Sequence, residues 1–188
     1  MRLAFVFSVA VSIAPVAVLA DEACRIPAYS SDSFGFDIAV HEGPSLTSPV
    51  KGVLAKGQPG TDDEGFGAEF VVVEMVGGWA RIAQVTGPDG IGPGGPEGWM
   101  DGGYIQFVAQ TGRGYAAPDA GSDPVYTGTE WPYAQALLDC SGDWAQIRFD
   151  VLDLTGRETV SLGQTTAWVR GACSNQRTTC DGLSGDAP

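Results

Sequence analysis

Gly77-Gly78-Trp79-Ala80-Arg81-Ile82 recurs later in the chain as Gly142-Asp143-Trp144-Ala145-Gln146-Ile147. Each copy is followed by a second tryptophan block, Gly98-Trp99-Met100-Asp101-Gly102 and Ala167-Trp168-Val169-Arg170-Gly171. Upstream of the first copy, Phe70-Val71-Val72-Val73-Glu74-Met75-Val76 is rich in β-branched residues and predicts a strand. Gly77-Gly78 supplies a tight reversal. Trp79 to Val85 then alternates with period two, which puts Trp79, Arg81, Ala83 and Val85 on one face and Ala80, Ile82 and Gln84 on the other. Working outward, Asp37-Ile38-Ala39-Val40-His41 alternates, Glu42-Gly43-Pro44-Ser45 breaks the run with turn residues, and Val50 to Leu54 predicts another short strand. A Gly-Pro loop at 86–97 leads into the Trp99 strand and Tyr104-Ile105-Gln106-Phe107-Val108. In the second copy, Asp123-Pro124-Val125 stands where Ser48-Pro49-Val50 stands in the first, and Ala134 to Cys140 takes the place of the long strand. Trp79 and Trp99 are 20 residues apart, Trp144 and Trp168 are 24, so both hairpins are expected to carry a long loop, with Asp150 and Asp153 in the second. The extra length of the first copy falls around Gly57–Gly67, on the surface.

Residues 1–20 read as a cleavable secretory signal: Arg2 for charge, an apolar run from Leu3 to Leu19, and Val18-Leu19-Ala20 with small residues where a signal peptidase needs them. Nothing after residue 20 is long and apolar enough to cross a bilayer as a helix. The chain carries a formal charge of −13; without Arg2 it has 9 basic and 23 acidic residues, or −14. That balance excludes phosphate-reading nucleic-acid binding, which rests on Lys and Arg, and attraction to anionic lipid. With 27 Gly and 12 Pro the chain is rich in turns, and no helical period is sustained after residue 20. Four cysteines in an exported chain predict two disulfides among Cys24, Cys140, Cys173 and Cys180, with three possible connectivities. If the strands carrying Cys140 and Trp168 are neighbours, Cys140 is in reach of Cys173 or of Cys180, and Cys24 takes what remains. The spacings contain no Cys-x-x-Cys pair, which argues against zinc.

In order along the chain stand Ile38-Ala39-Val40-His41, Gly43-Pro44-Ser45, Ser48-Pro49-Val50-Lys51-Gly52, Gly78-Trp79-Ala80-Arg81-Ile82 and Gly98-Trp99-Met100. This order resembles the bacterial SH3-like (SH3b) domain, whose pattern is a Leu-Asn-Val-Arg strand, Gly-Pro-Ser, a Ser-x-Val-x-Gly strand, a hydrophobic strand, Gly-Trp-x-x-Ile and Gly-Trp-Val. His41 stands where the family usually has Arg. The second copy is a more divergent match. The resemblance implies an all-β protein of two small SH3-like barrels in tandem: a signal at 1–20, an N-terminal segment at 21–33, SH3-like units at 34–109 and 110–173, and a C-terminal tail at 174–188. A five-strand barrel of roughly 65–75 residues buries a small core. Disulfide stapling and docking of the two units would offset that deficit, and the Trp of each Gly-x-Trp would anchor its hairpin to the core.

No catalytic constellation is apparent. His41 is the only histidine, and no Cys or activated Ser is placed beside it by the motifs. It is expected to be an exposed or hydrogen-bonded strand residue. Thr61-Asp62-Asp63-Glu64-Gly65 is the best metal candidate but lacks the spaced Asp-x-Asp-x-Asp-Gly pattern of a calcium loop, so a solvated loop is expected and no metal or cofactor is assigned. The remaining candidates are aromatic. Trp131 and Tyr133 interrupt the second unit and are unexplained by its core pattern, while Trp79, Tyr104 and Trp144 sit where the resemblance implies aromatic edges in a groove between loops. The alternative role for Trp79, Trp99, Trp144 and Trp168 is that of hydrophobic anchors. The expectation is a non-enzymatic binding protein of a bacterial periplasm, or secreted, that recognises peptidoglycan peptides or an envelope protein partner. Acidic loops plugging a basic active site would instead make it an accessory inhibitor of a secreted enzyme. A small wall hydrolase would need convergent Asp residues from both units.

Overall fold

In the computed structural model the described residues are 23–30, 35–55, 66–87, 92, 95–128, 132–153, 160–174 and 176. The proposed signal, the acidic stretch at 61–65, Trp131 and Cys180 lie outside them. The protein is all-β. Its strands are β1 (Ile26–Ser30), β2 (Ile38–His41), β3 (Val50–Leu54), β4 (Glu69–Val76), β5 (Trp79–Thr86) and β6 (Gly98–Asp101). After a 3-10 turn at Gly102–Tyr104 come β7 (Ile105–Gln106), β8 (Val108–Ala109), β9 (Arg113–Tyr115) and β10 (Pro124–Thr127). The last four are β11 (Ala136–Ser141), β12 (Trp144–Asp153), β13 (Val160–Val169) and β14 (Ala172–Cys173).

Local chemistry sets the two central hairpins. Gly77 and Gly78 both take positive φ, 56° and 84°, the signature of a type I′ turn that matches strand twist. In the second hairpin Gly142 has φ 59° and Asp143 does not follow it into the left-handed region, the signature of type II′. Both turns set a tryptophan as the first residue of the return strand, in register Val76↔Trp79 and Ser141↔Trp144.

A seven-stranded sheet runs in the order β3-β2-β6-β5-β4-β1-β7, a five-stranded sheet in the order β10-β9-β13-β12-β11, and β14 pairs with β8. Five strands of the first sheet, β3-β2-β6-β5-β4, thus have the order of the whole second sheet. Neither sheet closes on itself among the described residues, where five-strand barrels are expected from the sequence. In the first, β1 lies between β4 and β7, pairing Ile26↔Val72 through Tyr29↔Glu69 on one side and Tyr29↔Gln106 on the other. It lies in the 21–33 segment, for which no strand is expected. Pro27 is tolerated because β7 reaches only Tyr29 and Ser30, so at Pro27 just one neighbour needs a ladder. β14 stands outside the second sheet and pairs Ala172↔Ala109 and Cys173↔Val108 with β8.

The second hairpin also departs from expectation. Asp150 and Asp153 lie in β12, not in a loop, because the β12–β13 ladder continues from Ala145↔Val169 to Asp153↔Val160. Its inward residues explain this: Phe149 is 1 % exposed and extends the buried row begun by Ala145 and Ile147.

The inner faces of both sheets meet in one hydrophobic cluster. Val40, Val72, Ala80, Ile82 and Met100 from the first sheet join Leu137, Ala145, Ile147, Phe149 and Val169 from the second. Phe107, from the connection between the sheets, is fully buried among them, and burial of such a side chain stabilises by about 1.5–3 kcal/mol. β11 packs on β4, β7 and the 3-10 turn, where a Cβ on Gly102 would meet the carbonyl of Leu137.

Cys140 is disulfide-bonded to Cys24, Cα atoms 5.6 Å apart, not to Cys173 or Cys180 as expected from neighbouring strands. The reason is topological. β12 separates β11 from β13, whereas the chain entering β1 passes the β11–β12 turn, with the Arg25 N–H donating to the Gly142 carbonyl at 2.7 Å. Cys173 is disulfide-bonded too. At the far end, Gln176 holds Gly67 as a strand neighbour would, donating to its carbonyl and accepting from its N–H, both at 2.9 Å.

Candidate functional site

The equivalent strands of the two sheets carry equivalent aromatic groups on their outer faces. In the first, Ala80, Ile82 and Met100 turn inward, so period two leaves Trp79 and Arg81 of β5 and Trp99 and Asp101 of β6 outside. Trp79 lies opposite Asp101, Arg81 opposite Trp99, and Trp99 opposite His41 of β2. The His41 and Trp79 rings meet edge to face, 5.3 Å between centroids. His41 is 6 % exposed, and its Nδ1 lies 2.9 Å from the Ser48 carbonyl. A carbonyl only accepts, so Nδ1 carries the proton in this hydrogen bond. His41 is therefore a buried, hydrogen-bonded strand residue supporting Trp79.

The second sheet repeats the arrangement with different chemistry. Ala145 and Val169 turn inward, Gln146 lies opposite Trp168, and Trp168 opposite Tyr115 of β9. Tyr115 occupies the place of His41, and its ring meets Trp144 edge to face at 5.5 Å. The Arg170 guanidinium, in the place of Asp101, lies 4.7 Å from the centre of the Trp144 ring. One cluster is thus a Trp-His-Trp group with a carboxylate at its end, the other a Trp-Tyr-Trp group with a guanidinium stacked on it. None of these four tryptophans belongs to the hydrophobic core. They are half-buried on the opposite side of their strands, so the sequence-based role of core anchor passes to the alanines and isoleucines beside them.

The other candidates stand apart from these clusters. Tyr104, half-buried on the 3-10 turn, meets Phe36 edge to face at 5.6 Å. Tyr133 is 66 % exposed and bridges to Val108. Beside it, the Tyr29 phenol is held above its ordinary pKa of 10.0, by burial first and by the charge of Tyr133 second. Among the described residues, no three or more His, Cys, Asp or Glu side chains converge as a metal site would require. On the first face, Arg81 pairs with Glu74 at 2.7 Å.

Of these clusters, sequence reasoning singled out only Trp79 and Trp144 as site members; it read Trp99 and Trp168 as core anchors and did not place His41, Asp101, Tyr115 or Arg170 in a site. The signal of these residues is non-local: it appears only when the two copies are aligned through the pairing of their strands. In comparisons with protein families, curated proteins and solved structures, nothing matches this chain.

Proposed function

We propose that this chain is an exported, non-enzymatic binding protein of the bacterial cell envelope, built from two fused SH3-like units that bind cell-wall material through their outer aromatic faces. The observation that carries this is the duplication itself. Two sheets that share a five-strand order each hold a half-buried tryptophan against a buried aromatic partner, on the side away from the core. Half-buried aromatic groups held outside the core beside polar side chains suit a ligand-binding surface. The SH3-like assignment is supported by the motif order from Ile38 to Met100. Export is supported by the apolar run before Ala20 and by the disulfide of Cys24 and Cys140, which suits an oxidising compartment.

A second reading, an envelope protein partner, is favoured by the charge of −13, which steers a basic protein in and repels anionic wall polymers. Pelleting the oxidised protein with purified sacculi, alongside a pull-down from an envelope extract, separates the two. Retention on sacculi supports wall binding. A single stoichiometric protein without sacculus retention supports the second reading, and capture of neither overturns both.

A further inference from the structure

We propose that the outer face of β12 and β13 is a binding strip for an uncharged glycan chain; this rests on reading the outer aromatic faces as ligand sites and names the ligand of the second one. Period two places Trp144, Gln146, Arg148 and Asp150 along the outer face of β12, and Gln164, Thr166 and Trp168 along that of β13, with Arg170 just past its end. Register pairs them as Gln146↔Trp168, Arg148↔Thr166 and Asp150↔Gln164. One end of the strip is the aromatic cluster of Trp144, Trp168 and Tyr115. The other is a polar network: the Gln135 amide donates to Asp150 at 2.5 Å, and the Gln164 amide donates to Gln135 at 2.6 Å. Those bonds orient both amides while each keeps a second N–H and the carboxylate a second oxygen. From Trp168 to Gln164 is four residues, about 13 Å along a strand, a length a short oligosaccharide spans.

The chemistry of the strip selects the ligand. A pyranose ring has an apolar C–H face, which suits the negative face of an indole, and a rim of hydroxyls that both donate and accept. Amide, carboxylate and hydroxyl side chains in one row answer that rim. The strip is a sheet face and not a strand edge: β12 pairs with β13 along the strip and with β11 as far as Arg148, and β13 pairs with β9 at Trp168, so a ligand seated on it is held by side chains and not by main-chain pairing. Anionic polymers are disfavoured by the charge of −13, and the arginines of the strip are offset in part by Asp150. The first sheet has no such strip. Arg81, in the place of Gln146, is tied to Glu74, and beyond Ala83 the alternation of β5 is broken by a bulge at which Gln84 takes φ 55°.

The test is titration of the full oxidised chain with oligomers of N-acetylglucosamine and of glucose, followed by calorimetry. Saturable binding that tightens with oligomer length is expected for at least one series, and the tighter series identifies the sugar. Trp168→Ala should weaken binding about tenfold or more. Gln164→Ala, at an exposed position that leaves the core untouched, should weaken it roughly threefold, and Leu46→Ala, far out in the β2–β3 loop, should not change it. Binding undiminished in both Trp168→Ala and Gln164→Ala overturns the proposal, as does failure of both series to bind. If the oligomers fail while sacculi still retain the protein, only the glycan strip is lost. If sacculus retention fails as well, the reading of the faces as wall-binding sites falls with it.

Discussion

Tyr29 shows how much a single neutral side chain depends on its neighbours. Its phenol sits at the end of β1, where burial, and after it the charge of Tyr133, raise its pKa above 10.0. The folded state therefore holds this proton more tightly than the unfolded chain. Linkage then gives stability that is undiminished below pH 10 and falls as pH rises from the unfolded value through the raised folded one. Unfolding midpoints in urea should decline above pH 10, and Tyr29→Phe should flatten that decline; an unchanged slope in the variant would remove Tyr29 as its source. The same scale distinguishes the two clusters. His41 and Tyr115 share a place in the fold, as do Asp101 and Arg170, so one backbone arrangement offers a carboxylate on one face and a guanidinium on the other.

Among the elements, β1 is the most instructive. It is five residues long, includes a proline, and holds its place through β4, β7 and the covalent link just upstream of it. Cys24 and Cys140 are 116 residues apart, and closing so long a loop removes much entropy from the unfolded chain. Replacing both, Cys24→Ser with Cys140→Ser, should cost about 2–5 kcal/mol in chemical denaturation, and amide exchange should rise first in β1. A cost below about 1 kcal/mol would mean that the ladder alone holds the strand. β1 was not legible in the sequence because Ile26-Pro27-Ala28-Tyr29-Ser30 is short and its pairing partners lie far along the chain. β4 and β5 were legible, since eight-residue runs with β-branched or alternating residues around Gly-Gly carry their own signal. The loop expected around Asp150 became strand for a related reason: Thr165, Ala167 and Val169 supply the partners for Phe149, Ile147 and Ala145, and that register is not written in either segment alone. The disulfide pairing was illegible for the same cause, as it depends on which strand β12 separates from which. In the site, the tryptophans were visible as motifs, but their partners His41, Tyr115 and Arg170 meet them only through non-local pairing.

At the scale of the molecule, the two repeated sheets are not beads on a string. Their inner faces share one cluster of buried residues, β11 rests on β4, and Cys24 ties the start of the chain to the second sheet. The outer aromatic faces are thus carried by one packed body and held in a fixed relation. Two sites on a rigid body that engage one polymeric ligand bind with greater avidity than either alone. The most direct measurement is therefore retention on purified sacculi of the oxidised protein, of Trp79→Ala, of Trp144→Ala and of the double variant, each checked by thermal melting. Each single substitution should weaken retention and the double substitution should reduce it to the level of a non-binding control, with all four proteins folded. A folded double variant that pellets as the unsubstituted protein does would contradict the assignment of these faces as the binding sites.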